Sequence, residues 1–410
     1  MNKVEIVFEG WGQSWTLGTL AQRARTTLFE YSPEAIARGI EFSPLRVPLQ
    51  MQTYADFPQH LGGVPGFIAD ALPDGWGLLL MDRVFRKSGR DPATLNTLDR
   101  LSFIADRAMG ALSFKPASDV EITQEDLTLL QLAQAAHDVV EDRDSEALKT
   151  LAVVGGSPQG ARPKALVQFD PQSRRVSTDP RARGAPWLVK FPAQNEHVEV
   201  CGIEVAYARL AQAAEIDMPP VHLFKLAPKL AAFGVERFDR SEGMRVPVQS
   251  LASLLHADFR LPSADYQQLM QATKFATASH QEVLKAFQRC VFNVVFNNRD
   301  DHTKNFALRM NRRMEWEVAP AFDLTFNPGP GGYHQTAVMG EAKTPGREHL
   351  LRLAQACDIP SQHAMGVIDR MCEVASGLPD ALDAEGVRRA TRQTISAAVS
   401  TNVRRCGAAV

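Results

Sequence analysis

Between Phe296 and Phe306 the chain reads NNRDDHTKN, nine polar residues in succession behind the helical pattern HQEVLKAFQRCVFNVV. Phenylalanines and valines on either side anchor this loop in a helical core, so it is held in place and not spread over a solvated face. The spacing inside it has a chemical reason. A carboxylate at Asp300 can accept the proton of an attacking hydroxyl, and the amide oxygen of Asn305 can reach a metal ion, with one tight loop bringing both to the same point.

The rest of the chain is long enough to support such a device. With 410 residues, 45% hydrophobic and 22% charged, it suits two or three domains, or one bilobal unit with an appendage. A formal charge of −2 gives no reason to expect direct nucleic-acid binding. The five cysteines, Cys201, Cys290, Cys357, Cys372 and Cys406, form no C-x-x-C pair and suggest neither a disulfide framework nor a zinc ribbon. The opening MNKVEIVFEGWG alternates like a strand and lacks a leader's charged and apolar regions; no run has the length of a membrane span. These features together give the expectation of a cytoplasmic protein.

Three regions follow from the changing pattern. Residues 1–118 begin with short alternating pieces, VEIVFEG, TLFEYS and RVPLQM, and predict a β-rich subdomain closed by a strand in SFIADRAMGALSFKP. Residues 119–248 predict a helix near 124–141 and then strands at ALVQF, WLVKF, VHLFKL and AAFGVERF around one helix, VCGIEVAYARLAQAAEI. Residues 249–410 are helical, interrupted by the polar loop and by FALRM and WEVAP, which suit a hairpin. The fold expected is α+β.

Four further signals accompany the loop. GGSPQGARPK, residues 155–164, is a Gly-rich turn before a strand; its backbone can approach a ligand closely, and Arg162 and Lys164 add positive charge suited to phosphate. The same residues also suit a plain turn, and they depart from a Walker loop, because Ala161 and Arg162 stand where that motif has Lys and Ser or Thr. Lys190 lies inside the strand WLVKF, where it can hold phosphates or simply snorkel from an edge. Glu204 on the next helix can orient it. In FGVERFDR the backbone of Glu236 and Phe238 can read an adenine edge. Asp323 follows the hairpin in VAPAFDLTF and suits a second metal contact. Loop, lysine, glutamate, junction, Asp/Asn loop, hairpin and aspartate occur in the linear order of a protein kinase, and the fold expected is bilobal and kinase-like, with a helical C-terminal lobe.

The motifs GGSPQGARPKALV, WLVKFP, GIEVAYARLA, VERFDR, DDHTKNFAL and APAFDL also resemble those of the HipA-type serine/threonine kinase toxins of bacterial toxin–antitoxin systems, over nearly the full length. The resemblance implies ATP and Mg²⁺ as cofactors, Asp300 as catalytic aspartate, Asn305 and Asp323 as Mg²⁺ ligands, and Lys190 as the phosphate-pairing lysine. It implies a nucleotide loop of Gln159, Gly160, Ala161, Arg162, Pro163 and Lys164, adenine held at Glu236 and Phe238, and His302 beside the phosphates. Ser157 occupies the place of a serine whose autophosphorylation ejects the loop and switches the enzyme off. The partners implied are a protein substrate and a small helix-turn-helix antitoxin. Asn298 stands where the kinase pattern has histidine, and Leu324 where D-F-G has glycine. Two other readings stay open: a non-catalytic binding protein that keeps the kinase fold, and a kinase of small molecules.

Overall fold

The computed structural model describes residues 1–24, 26–120, 125–143 and 146–407. It divides into two compact units: Met1–His197 with Phe224–Gln249, and Val198–Leu223 with Ser250–Val410.

Among the described residues, the first unit contains two five-stranded sheets and a two-stranded antiparallel one, Arg240–Ser241 with Met244–Arg245. In one the strand order is Thr53–Tyr54, Thr26–Tyr31, Trp15–Arg23, Lys3–Phe8, Leu112–Lys115. Period-two alternation of apolar residues buries Val4, Ile6 and Phe8 with Leu17 and Phe29, as a half-solvated sheet requires. The expected strand RVPLQM is absent. Its Pro48 lacks the N–H that a ladder needs, and residues 46–51 form turns that lead into the two-residue strand Thr53–Tyr54. Gly75–Lys87 is an amphipathic helix burying Trp76, Leu80, Met81, Val84 and Phe85.

The second sheet runs Arg175–Ser177, Lys164–Asp170, Ala185–Lys190, Leu230–Glu236, Val221–Ala227. It is filled by aromatic edge contacts such as Phe169 on Trp187, with centroids 5.2 Å apart. The helix expected near 124–141 spans Leu129–Val140, and Thr128 and Gln131 form a capping box that fixes its start; the predicted first residue, 124, lies outside the described residues. Val221–Ala227 is a strand, as its alternation predicts, and carries the chain back from the second unit into the first.

The second unit is mostly helical. Glu199–Ala213 buries eleven of its fifteen residues, which makes it an enclosed helix of the unit's opening segment. Asp265 and Ser279 cap Tyr266–Thr277 and His280–Val295 with their side chains, and Arg347–Ala356, Ser361–Ala375, Leu378–Ala384 and Arg389–Cys406 complete the unit. Glu199 ties its helix to the last one. It accepts from Arg388 N at 3.0 Å, Arg388 Nε at 3.1 Å and Thr391 Oγ1 at 2.9 Å. Burial alone would raise the pKa of this carboxyl, but the Arg388 and Thr391 donors outweigh it and pull it down to about 2.

A folded-state pKa below the unfolded value of about 4.3 means stability that is present at neutral pH and lost as pH falls through the acid range towards 2. Glu199→Gln is therefore expected to lower the urea midpoint at pH 7. The gap from wild type should close steadily between about pH 5 and pH 2; a gap that does not change with pH would contradict this assignment.

Candidate active site

The first unit holds the Gly-rich turn in a closed conformation. Trp76 N donates to Gly160 O at 3.1 Å and Trp76 Nε1 to Lys164 O at 3.0 Å, while Gly160 N donates to Asp74 Oδ1. Gln159 Nε2 donates to the carbonyls of Asp70 and Leu72. Gly75 and Gly77 are needed for this approach: a Cβ would lie 2.8 Å from Ala161 Cα at the first and 2.5 Å from Gly156 O at the second. The segment LPDGWG is therefore a clasp on residues 156–164, a role that no local pattern reveals because the hydrogen-bonded partners are more than eighty residues apart.

Ser157 is 3% exposed, and its hydroxyl has no hydrogen-bond partner among the described residues. Gly160, at φ +105°, occupies backbone space that favours glycine. Ala161 and Pro163 complete the turn, and Pro163 O accepts from Phe191 N at 2.9 Å. Lys164 Nζ donates to Gln159 O, closing the loop on itself. Lys164 pairs directly with Lys190 across the sheet. The two buried lysines thus share one face, an arrangement suited to phosphate oxygens. Lys190 Nζ also lies 5.5 Å from the Phe233 ring centroid. Arg162, expected to add charge here, donates Nε and NH2 to Glu196 Oε1 at 3.0 and 2.7 Å.

In VERFDR, Glu236 ends its strand opposite Trp187, and burial raises its pKa. Phe238 follows the strand, and Arg237 N donates to Pro186 O. The charged residues of the motif perform a structural task that the sequence did not disclose. Asp239 is 2% exposed and receives Arg237, Arg240 and Gly110 N, each at 2.8 Å. Burial would raise its pKa, but the two arginines draw it down. Burial also lowers Arg240 to about 10.

In the second unit the polar loop begins where the helix His280–Val295 stops. Tyr207 Oη caps Phe296 O at 2.8 Å, and Asn297 takes φ +57°, left-handed space that asparagine tolerates better than most residues. Asn305 Nδ2 donates to Asp300 O at 2.8 Å. This commits the nitrogen end of that amide to the loop and leaves its oxygen end to face other groups. The hairpin Ala307–Met310 with Trp316–Val318 pairs Leu308 with Val318, and Ala319 N and Ala321 N then bond to Ala307 O and Asp217 O. The returning chain brings Asp323, at φ +57°, to a small cleft that Asn298, Asn305, Phe322 and Arg289 also line. Glu204 is buried on its helix in this unit, whereas Lys190 belongs to the first.

The residues fit a hydrated divalent cation on one independent observation. Asn298 Oδ1 is buried in this cleft with no donor to it among the described residues, and an unpaired buried acceptor costs about 1–3 kcal/mol, which metal-bound water would relieve. One amide and one carboxylate are the donors available to the ion itself, oxygen ligands of the kind Mg²⁺ takes while keeping several waters. Among the described residues no three His, Cys, Asp or Glu side chains converge as a metal cluster. His302 Nε2 lies 3.9 Å from Asp300 Oδ1, and its ring sits 5.3 Å from Phe259.

Asp301, which the motif treats as a spacer, is the anchor of the loop. It is fully buried and receives Tyr266 Oη at 2.8 Å, Gln335 N at 2.8 Å and Thr336 N at 3.3 Å, with His334 Nδ1 at 2.8 Å. Tyr266 Oη accepts from Asn293 Nδ2, and Asn293 Oδ1 accepts from Asn298 Nδ2. The sequence offered only the doubled aspartate as a signal.

Comparison with known proteins agrees with this architecture. No helix among the described residues is long and apolar enough to cross a membrane. No curated protein shows significant sequence similarity to the chain. Among solved structures, HipA of Shewanella oneidensis MR-1, described in complex with HipB and its operator DNA, superposes with a TM-score of 0.68 at 17% identity, covering 98% of this chain and 96% of that one. The Helicobacter pylori proinflammatory kinase CtkA covers 55% of this chain and 89% of its own, at 12% identity and a TM-score of 0.39. The family model for the HipA N-terminal domain matches residues 10–115, and that for the HipA-like C-terminal domain matches residues 156–378. The chain therefore belongs to the HipA family.

Proposed function

We propose that the protein is an ATP- and Mg²⁺-dependent kinase that phosphorylates serine or threonine on a protein substrate. The observation that carries this reading is the loop geometry: the Asn305 amide nitrogen is tied to Asp300 O, while Asn305 and Asp323 line one cleft. Asp300 orients the substrate hydroxyl and accepts its proton. Asn305 and Asp323 hold Mg²⁺, which when bound neutralises charge that develops on the transferring phosphoryl group. Lys164, Lys190 and the backbone of 159–164 hold phosphate oxygens, Glu236 and Phe238 hold the base, and His302 lies beside the phosphates. A helix-turn-helix antitoxin is the proposed partner.

Autophosphorylation of Ser157 is part of the proposal. Because that hydroxyl is buried, transfer to it requires residues 156–164 to leave the clasp, and the added charge of about −2 opposes their return beside the ATP phosphates. Incubation with γ-labelled ATP and Mg²⁺ tests the whole reading, with Asp300→Asn alongside. Label in protein, lost in the variant, supports it. Label confined to small molecules points to a small-molecule kinase, and no transfer at all contradicts catalysis.

A further inference from the structure

We propose that Arg299 is a positioning residue that holds the segment after Asp323 in its working arrangement with no covalent activation. This rests on the kinase reading above and concerns the regulation of that same site.

Kinase activation segments are commonly ordered by phosphorylation, the phosphate pairing with arginine. Here the arginine beside Asp300 is engaged by neutral groups. Arg299 Nε donates to Asn297 Oδ1 at 3.2 Å, and NH1 donates to Gly332 O. The segment is shaped to permit this. Gly329, Gly331 and Gly332 have φ of +69°, +62° and +78°, and a Cβ would lie 2.9 Å from Arg299 Cβ at Gly329 and 3.3 Å from Arg299 NH1 at Gly332. A side chain at either place would meet both strain and the arginine.

The ends of the segment are pinned to the same loop. Asn327 N donates to Asn297 O at 3.1 Å and Arg299 N to Asn327 O at 3.2 Å; Gln335 N lies 3.3 Å from Arg299 O and 2.8 Å from Asp301 Oδ1. Behind them, Asn297 Nδ2 donates to Asn327 O, and Asn402 Nδ2 of the last helix donates to Asn297 Oδ1 at 3.2 Å. Between Asp323 and Thr336 the phosphorylatable side chains are Thr325 and Tyr333, and neither takes part in these bonds. The Gly332 carbonyl occupies the guanidinium donor that a phosphate would otherwise take.

The test uses the full chain, phosphatase-treated and shown phosphate-free by intact mass. Hydrogen exchange should find the amides of Asn327, Gln335 and Thr336 protected in wild type. Arg299→Ala should speed exchange across 327–336 at least tenfold and leave the strand Lys164–Asp170 unchanged. The same variant should lose roughly 10–100-fold in kcat, as a misplaced reacting group does, with KM for ATP unchanged within about threefold. Arg299→Lys keeps a donor for Gly332 O and should recover part of kcat, whereas Thr325→Val and Tyr333→Phe should behave as wild type. Rapid exchange of 327–336 in the phosphate-free wild type, unchanged exchange in Arg299→Ala, or activity that needs phosphate on Thr325 or Tyr333 would each overturn the proposal. If wild type transfers no phosphoryl group, the kinase reading fails, and the exchange measurement still decides whether Arg299 holds the segment.

Discussion

Asp300→Asn is expected to lower the rate of phosphoryl transfer by roughly 10²–10⁴-fold, the range for loss of a positioned base, while leaving the unfolding free energy within about 0.5 kcal/mol of wild type. The separation follows from how Asp300 is held. Its side chain is 46% exposed, and the loop bond from Asn305 goes to its backbone carbonyl, which an asparagine keeps. The variant changes the one property the chemistry needs, a carboxylate that can take a proton, and preserves the volume. Activity measured with labelled ATP, together with a urea melt, checks both halves. An active variant would remove Asp300 from its role.

Its neighbour should behave in the opposite way. Asp301→Ala is expected to destabilise the second unit by about 3–5 kcal/mol, the cost of breaking a buried charged network. The carboxylate is fully buried and serves Tyr266, His334, Gln335 and Thr336. Truncation leaves those donors facing a cavity without water or partner, and each stranded group adds about 1–3 kcal/mol in isolation. Asp301→Asn should fall between wild type and alanine, because it retains an acceptor oxygen but turns an N–H₂ towards groups that already donate. Urea unfolding of the three proteins measures the order. An alanine variant as stable as wild type would mean that the loop is held by its hydrophobic anchors alone.

The contrast between these two aspartates shows what a sequence discloses. Asp300 and Asn305 were legible because their relation is local: five residues apart on a loop between Phe296 and Phe306, both buried, with a hairpin and Asp323 following in order. The alternation of ALVQF was legible for the same reason. Asp301 was not, because its partners lie some 33 to 35 residues away in sequence and carry no periodic signature.

The clasp of Asp74 and Trp76 on the Gly-rich turn and the arginines around Asp239 are likewise choices of tertiary packing. Arg162 has a partner that the sequence did not disclose: its guanidinium is joined to Glu196, and only the position of that partner reveals the pair. RVPLQM has the alternation of a strand, but its proline and the turns around it outweigh that pattern.

The claim on which the account depends is that Asn305 and Asp323 act on one ion. Anomalous diffraction from crystals grown with Mn²⁺ and a non-hydrolysable ATP analogue tests it most directly. The account predicts a manganese peak about 2.1 Å from Asn305 Oδ1 and from an Asp323 carboxylate oxygen. A nucleotide-bound structure whose manganese contacts neither side chain would contradict it.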